Sequence, residues 1–397
     1  MIDAAASGGP AEAGVRDIAL YVHWPYCARI CPYCDFNVVR ARGGKGPAAL
    51  ARAIVADLAA QAGRLGRRRL ASIFFGGGTP SLMHPEWAGE IIALARRLFE
   101  PAPDLEVTLE ANPTDAEAGR FADFTAAGVN RLSLGVQSLD DAALAFLGRD
   151  HSAADARRAA EIAGRAFPRV SIDLIYARPG QTPDAWEREL REALALGAEH
   201  VSAYQLTIEA GTPFDRAVRR GRWAPPDPDL AAALYETTQG VLGDAGLAAY
   251  EVSNHARGPA ARSRHNLVYW RGGDYLGVGP GAHGRITGAD GERWATLTPA
   301  RVADYVARVG AAGCGLAERT RLTPLEAAEE RLLMGLRTVE GVGLAELAAL
   351  SPDPATVRSL TDAGLLAPSP GRLIATAAGR AVLDRITLDL ADSAASG

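Results

Sequence analysis

Between residues 17 and 207 the chain alternates two textures. Runs rich in β-branched and aromatic residues recur as DIALYVHW (17–24), ASIFFGGG (71–78), LEVTLEANP (105–113), RLSLGVQS (131–138), VSIDLIYARPG (170–180) and HVSAYQLT (200–207). Between them lie Ala-, Leu- and Arg-rich stretches with helical spacing, such as AALARAIVADLAAQAGRL and PEWAGEIIALARRLF. Strands alternating with helical patterns predict βα repeats about a parallel sheet. Six such units make an open or partial (β/α)6 barrel, short of the eight of a closed one. The expected fold class is α/β.

After residue 245 the texture changes. YEVSNHARGPAARSRHNLVYWRGGDYLGVGPGAHGR (250–285) gathers His255, His265 and His283 among aromatics and glycines, three of the seven histidines. This segment reads either as a loop-rich β extension with satisfied histidines or as a site for a flat apolar molecule or a metal. From residue 321 the pattern is helical. TPLEAAEERLLMGLRT predicts a helix capped by Thr323, with Pro324 first and Glu326 closing a capping box. Further helical stretches at 343–350, 354–368 and 371–386, ending in a short hairpin, predict a small winged-helix-like unit. The expected organisation is a disordered N-terminus (1–16), a βα region (17–245), a His- and aromatic-rich extension and linker (246–320) and a C-terminal helical domain (321–390).

Composition narrows the function. The chain has 397 residues, 48% hydrophobic and 22% charged, which is ordinary globular composition. The net charge of −5 opposes a nucleic-acid partner, and the tail (321–397) holds seven Arg against ten Asp or Glu. Lys45 is the one lysine among 42 basic residues, so the arginines reflect composition rather than recognition. GRLGRRRL (63–70) reads as a solvated helix end. No apolar run reaches the roughly 20 residues of a transmembrane helix. The start lacks the charged-then-apolar order of an export signal. A cytoplasmic protein is expected, with its thiols reduced.

The reduced compartment bears on the cysteines. Cys27, Cys31 and Cys34 fall within eight residues, and Cys314 is remote. A disulfide framework is not expected there. A structural zinc site wants four ligands, and the nearby candidate, His23, precedes the loop in an apparent strand. An iron–sulfur cluster fits thiolates better, and three of them leave one iron of a four-iron cluster open to a ligand. Polar and Gly-rich residues follow the strands: GGGTPS, Glu110 with Asn112, and Gln137 with Ser138, while Asp173 lies inside the fifth. In parallel α/β folds that end binds ligands. GGGTP (76–80) is either a tight turn or a backbone contact to a ligand. It is not a phosphate loop, because no Gly-Lys-Ser/Thr follows.

These residues match a family. CARICPYC, with YVHWPYC, FFGGGTPS, LEANP, RLSLGVQS, DLIYARPGQT, YQLTIEAGTPF, YEVSNHA, RHNLVYW and YLGVGPGAHG in order, resembles radical S-adenosylmethionine (SAM) proteins. The branch is that of oxygen-independent coproporphyrinogen III oxidase and the HemW-type heme chaperones. The resemblance implies a partial radical SAM barrel. It implies that Cys27, Cys31 and Cys34 hold a 4Fe-4S cluster whose open iron binds SAM. It further implies that Tyr21, Tyr33, Gly77, Gly78, Glu110, Gln137, Arg149 and Asp173 contact SAM or the cluster.

Two departures favour the chaperone branch. Phe36 stands where the oxidase pattern has a further cysteine, and few residues precede Tyr21. HNLVYW matches a motif associated with heme in HemW-type proteins, which implies His265, Asn266, Tyr269 and Trp270 as heme-linked, with His255 and His283 as other candidate ligands. The expected function is a heme chaperone with heme, heme-accepting apoproteins and an electron donor as partners. A coproporphyrinogen III oxidase-like enzyme is the alternative.

Overall fold

The computed structural model describes residues 15–41 and 44–394. The stretch expected to be disordered therefore lies outside the described residues as far as residue 14, and Arg16 opens the first strand.

All six expected strands form. They are β1 (Arg16–Trp24), β2 (Arg68–Gly77), β3 (Glu100–Ala111), β4 (Arg131–Gln137), β5 (Arg169–Tyr176) and β6 (His200–Gln205). They lie side by side in chain order, every neighbouring pair parallel. Helices cross between them, among them α1 (Gly46–Ala62), α2 (Pro85–Leu98), α3 (Ala153–Ala166) and α4 (Pro183–Ala195), and α5 (Pro228–Asp244) follows β6. These strands read as near-continuous apolar runs because both faces are covered. Leu20, Phe75, Leu109, Leu132, Ile172 and Val201 are all buried in one core with Ile54, Ile91 and Trp186 from the helices.

The segment after 245 continues this sheet. The short β7 (Ala248–Ala249) and β8 (Asn254–Ala256) extend the β6 edge antiparallel. A seven-residue helix, α6 (Arg264–Trp270), precedes β9 (Asp274–Val278), which pairs parallel with β1 on the opposite flank. Then β10 (His283–Thr287), β11 (Arg293–Leu297) and β12 (Glu318–Arg321) follow as an antiparallel meander. Among the described residues the sheet has twelve strands in the order β12-β11-β10-β9-β1-β2-β3-β4-β5-β6-β8-β7, and its two edges do not meet. It is an open arc rather than a closed barrel.

GRLGRRRL departs from its expected form. Only its first part ends a helix, and Arg68–Leu70 begin β2, with Arg67 and Arg69 paired to Glu100 and Asp17 at the surface.

The C-terminal region has its own core. Thr323 caps α7 (Pro324–Gly335) and Glu326 returns to the Thr323 N–H at 2.7 Å, the expected capping box. Helices α8 (Pro354–Asp362) and α9 (Leu383–Ala394) pack with α7 around Leu332, Leu336, Leu347, Leu366 and Ile386. The stretch 343–350 makes only a 3-10 turn, because Ser351 turns to φ +50° and Pro352 cannot extend a helix. The small ribbon pairs Val342–Gly343 with Arg372–Leu373 from either side of α8, not as a local hairpin. Among the described residues no helix is long and apolar enough to cross a membrane.

Candidate cofactor and ligand cavity

The carboxyl ends of the parallel strands face a cavity of about 620 Å³. Cys27, Cys31, Cys34, Tyr21, Tyr33, Gly77, Gly78, Glu110, Gln137, Arg149, Asp173, His265, Asn266 and Tyr269 all line it. Trp270 does not. Its ring lies under the Arg337 guanidinium at 4.6 Å, toward the C-terminal region.

The cysteine loop is held by a residue the sequence reading passed over. Asn37 donates from Nδ2 to the Pro280 and Ala300 carbonyls, both at 2.8 Å. Its own carbonyl lies 2.8 Å from His23 Nε2. That contact makes Nε2 the donor, so Nδ1 accepts from the Tyr21 hydroxyl at 3.0 Å. His23 is thus a brace between β1 and the loop, not a ligand. A lone Asn at a loop end carries no sequence signal of this role.

All four cysteines are free thiols, and Cys314 is buried elsewhere. Burial pushes the Cys27 thiol up to about 11 and raises that of Cys34. Thiolates here therefore call for cationic compensation, which an iron centre supplies. Among the described residues no three His, Cys, Asp or Glu side chains converge as around a single metal ion.

The cavity floor suits the polar end of a cofactor. Gly77 adopts φ +108°, where a Cβ would stand 2.5 Å from the His23 ring, and a Cβ on Gly78 would stand 2.7 Å from the Pro25 carbonyl. Only glycine lets β2 end here. The Gly77 N–H donates to Glu110 Oε2 at 3.1 Å. Burial first, and the Asp173 carboxylate second, push the Glu110 carboxyl up to about 8. Asp173 is also raised by burial, although Ser133 and Ser171 donate to it at 2.7 and 2.9 Å. Two carboxylates facing one cavity, each raised, mark a place where an ammonium or sulfonium would be stabilised. Gln137 ends β4 at φ +64°, a conformation that costs a non-glycine residue about 1–3 kcal/mol.

Arg149 joins the loop to the strand ends. It donates to Cys31 Sγ at 3.2 Å, to the Gly135 carbonyl at 3.3 Å and to Asn112 Oδ1. Asn112 in turn donates to Thr79 at 3.1 Å. Ser138, expected with Gln137 at the rim, is buried instead in a network with Glu189 and Arg178.

His265 is deeply placed, at 1% exposure. Nδ1 meets the Ser72 hydroxyl and Nε2 the Tyr269 hydroxyl, each at 2.9 Å. Phe74 stacks on the ring at 4.8 Å. Burial lowers its pKa to about 3, so it is neutral. Both nitrogens are engaged, and ligation of an iron would require Tyr269 or Ser72 to yield. His255 is buried on β8 and does not line the cavity, and His283 is exposed on β10.

An open parallel α/β sheet with a three-cysteine loop and a polar strand-end cavity is the design of a radical SAM protein. The model of the radical SAM superfamily matches residues 21–193, and that of the HemN C-terminal domain matches 322–382. The chain belongs to the radical SAM family, in its HemW-type branch. It is 44% identical over 400 residues to the mitochondrial radical S-adenosyl methionine domain-containing protein 1 of Bos taurus, covering 97% of this chain and 90% of that one. It is 39% identical over 378 residues to the heme chaperone HemW of Mycobacterium tuberculosis, covering 94% and 95%. Its fold matches the coproporphyrinogen III oxidase HemN of Escherichia coli with a TM-score of 0.79 at 21% identity, covering 95% and 90%. Membership of the superfamily implies SAM and a 4Fe-4S cluster.

Proposed function

We propose that this protein is a heme chaperone that binds heme beside a SAM-coordinated 4Fe-4S cluster and delivers it to acceptor apoproteins. The observation that carries the reading is Phe36, 61% exposed at the cavity mouth, where the oxidase pattern has a cysteine. The names of the HemW relatives support the same reading.

On this reading Cys27, Cys31 and Cys34 hold the cluster and Arg149 steadies the Cys31 thiolate. Gly77 and Gly78 bring backbone close to the amino acid end of SAM, and Glu110 and Asp173 compensate its cationic groups. Gln137, Tyr21 and Tyr33 shape the walls. Cluster and SAM, when bound, supply one-electron chemistry fed by an external donor. His265, Asn266 and Tyr269 would line the cavity beneath the heme, while Trp270, at the end of α6, faces Arg337 instead. The protein works in the cytoplasm.

The test is anaerobically reconstituted protein, titrated with hemin and, separately, incubated with SAM, a reductant and coproporphyrinogen III. Hemin binding without protoporphyrinogen IX formation is expected. Turnover would make the protein an oxidase, a reading that Glu110, Gln137 and Asp173 also accommodate. Absence of hemin binding would overturn the chaperone reading.

A further inference from the structure

The cavity is polar at its floor and apolar at its mouth. Glu110, Asp173 and Ser133 lie below. At the mouth, Ile30 is 45% and Phe36 61% exposed, both on the cysteine loop, and the ring of Tyr204 at the end of β6, 42% exposed, runs down from them to a hydroxyl buried at Ser202 beside Asp173. A single exposed apolar side chain needs no explanation, but three lining one opening do. The loop is not loose, since Asn37, next to Phe36, is tied on three sides. Its apolar side chains are therefore held out in water. Beside them Arg29, exposed and lining the same cavity, makes no ion pair or hydrogen bond among the described residues.

We propose that the cysteine loop is itself the docking rim for the tetrapyrrole. Ile30, Phe36 and Tyr204 cover its flat face, and the Arg29 guanidinium takes a propionate at its edge. The proposal rests on the chaperone reading and makes it more specific. An amphipathic ligand with an apolar disc and carboxylates on one side matches apolar side chains flanked by a free guanidinium. His265, with both nitrogens bonded, need not ligate the iron for this mode to form. Cys31 and Cys34 line the same cavity, so a disc held at the rim would restrict access to them.

The test is hemin titration of cluster-loaded protein, followed by heme absorbance, with iron and sulfide counted in each variant. Ile30→Ala/Phe36→Ala weakens hemin binding at least tenfold. Arg29→Glu weakens hemin binding but leaves the dimethyl ester of hemin, which lacks free carboxylates, bound as in the wild type. Unchanged hemin affinity in these variants, with the wild type binding, overturns the rim while sparing the chaperone reading. A wild type that binds no hemin overturns both. Should a loop variant shed iron, the wild type itself carries the test: it binds hemin at least tenfold more tightly than the dimethyl ester, or the proposal falls.

Discussion

The guanidinium of Arg149 donates to Cys31 Sγ at 3.2 Å across 118 residues of chain. The same group reaches Gly135 and Asn112, so one side chain ties the cysteine loop to the ends of β3 and β4. A hydrogen bond to a charged group contributes about 1.5–3 kcal/mol, roughly ten- to a hundredfold in an equilibrium. Arg149→Ala should therefore shorten cluster retention by about that factor, read as iron and sulfide against time in chelator. Arg149→Lys keeps the charge without the fork and should fall between.

Cys27→Ser, Cys31→Ser and Cys34→Ser should each lose the cluster. Cys314→Ser should keep it. Cys314 is 5% exposed, so the new buried hydroxyl should cost about 1–3 kcal/mol of stability without changing iron content. Iron and sulfide counts on the four variants separate the two classes, and cluster loss in Cys314→Ser would contradict the ligand assignment.

Glu110 gives a pH dependence. Its carboxyl is raised from 4.5 to about 8, so in the ligand-free protein its contribution is fully present below pH 4.5 and is lost as pH rises to about 8. Glu110→Gln should remove this slope, leaving a variant relatively more stable than wild type near pH 8. SAM, by bringing cationic groups to the carboxylate, should stabilise the wild type most at that pH. Thermal melts from pH 5 to 8.5, with and without SAM, check both.

His265 titrates with the opposite sign. Its pKa is lowered to about 3, so the stability it contributes is present above 6.5 and is lost as pH falls toward 3. Removal of the ring leaves Ser72 and Tyr269 without their partner and opens space beside Phe74. His265→Ala should cost about 2–4 kcal/mol in denaturant unfolding, with or without hemin. A variant as stable as wild type would show that the ring is not a packing element.

Asn37→Ala should free the end of the cysteine loop from the segments that carry Pro280 and Ala300. It removes two side-chain bonds to the Pro280 and Ala300 carbonyls. Faster proteolysis or hydrogen exchange confined to the cysteine loop would be the sign, with cluster loss following.

Much of this protein is legible in one dimension. The six parallel strands follow from apolar runs, the α7 cap from Thr323 and Glu326, and the cysteine loop from three thiols within eight residues. These signals are local, so periodicity and side-chain type carry them. Other features depend on register between distant segments. β9 pairs with β1 across some 250 residues, so the β extension expected after 245 joins the central sheet on the flank away from β6, a placement that periodicity does not show. Arg149 meets Cys31, Asn37 meets Pro280, and Ser72 meets His265 only because the strands place them there. Trp270 sits in the same motif as His265 yet faces Arg337, since five residues at about 100° each turn it to a different side of α6. Residue type shows what chemistry is available. The packing of the sheet decides which groups share a cavity, which nitrogen is already bonded, and which carboxylate is left without its cation.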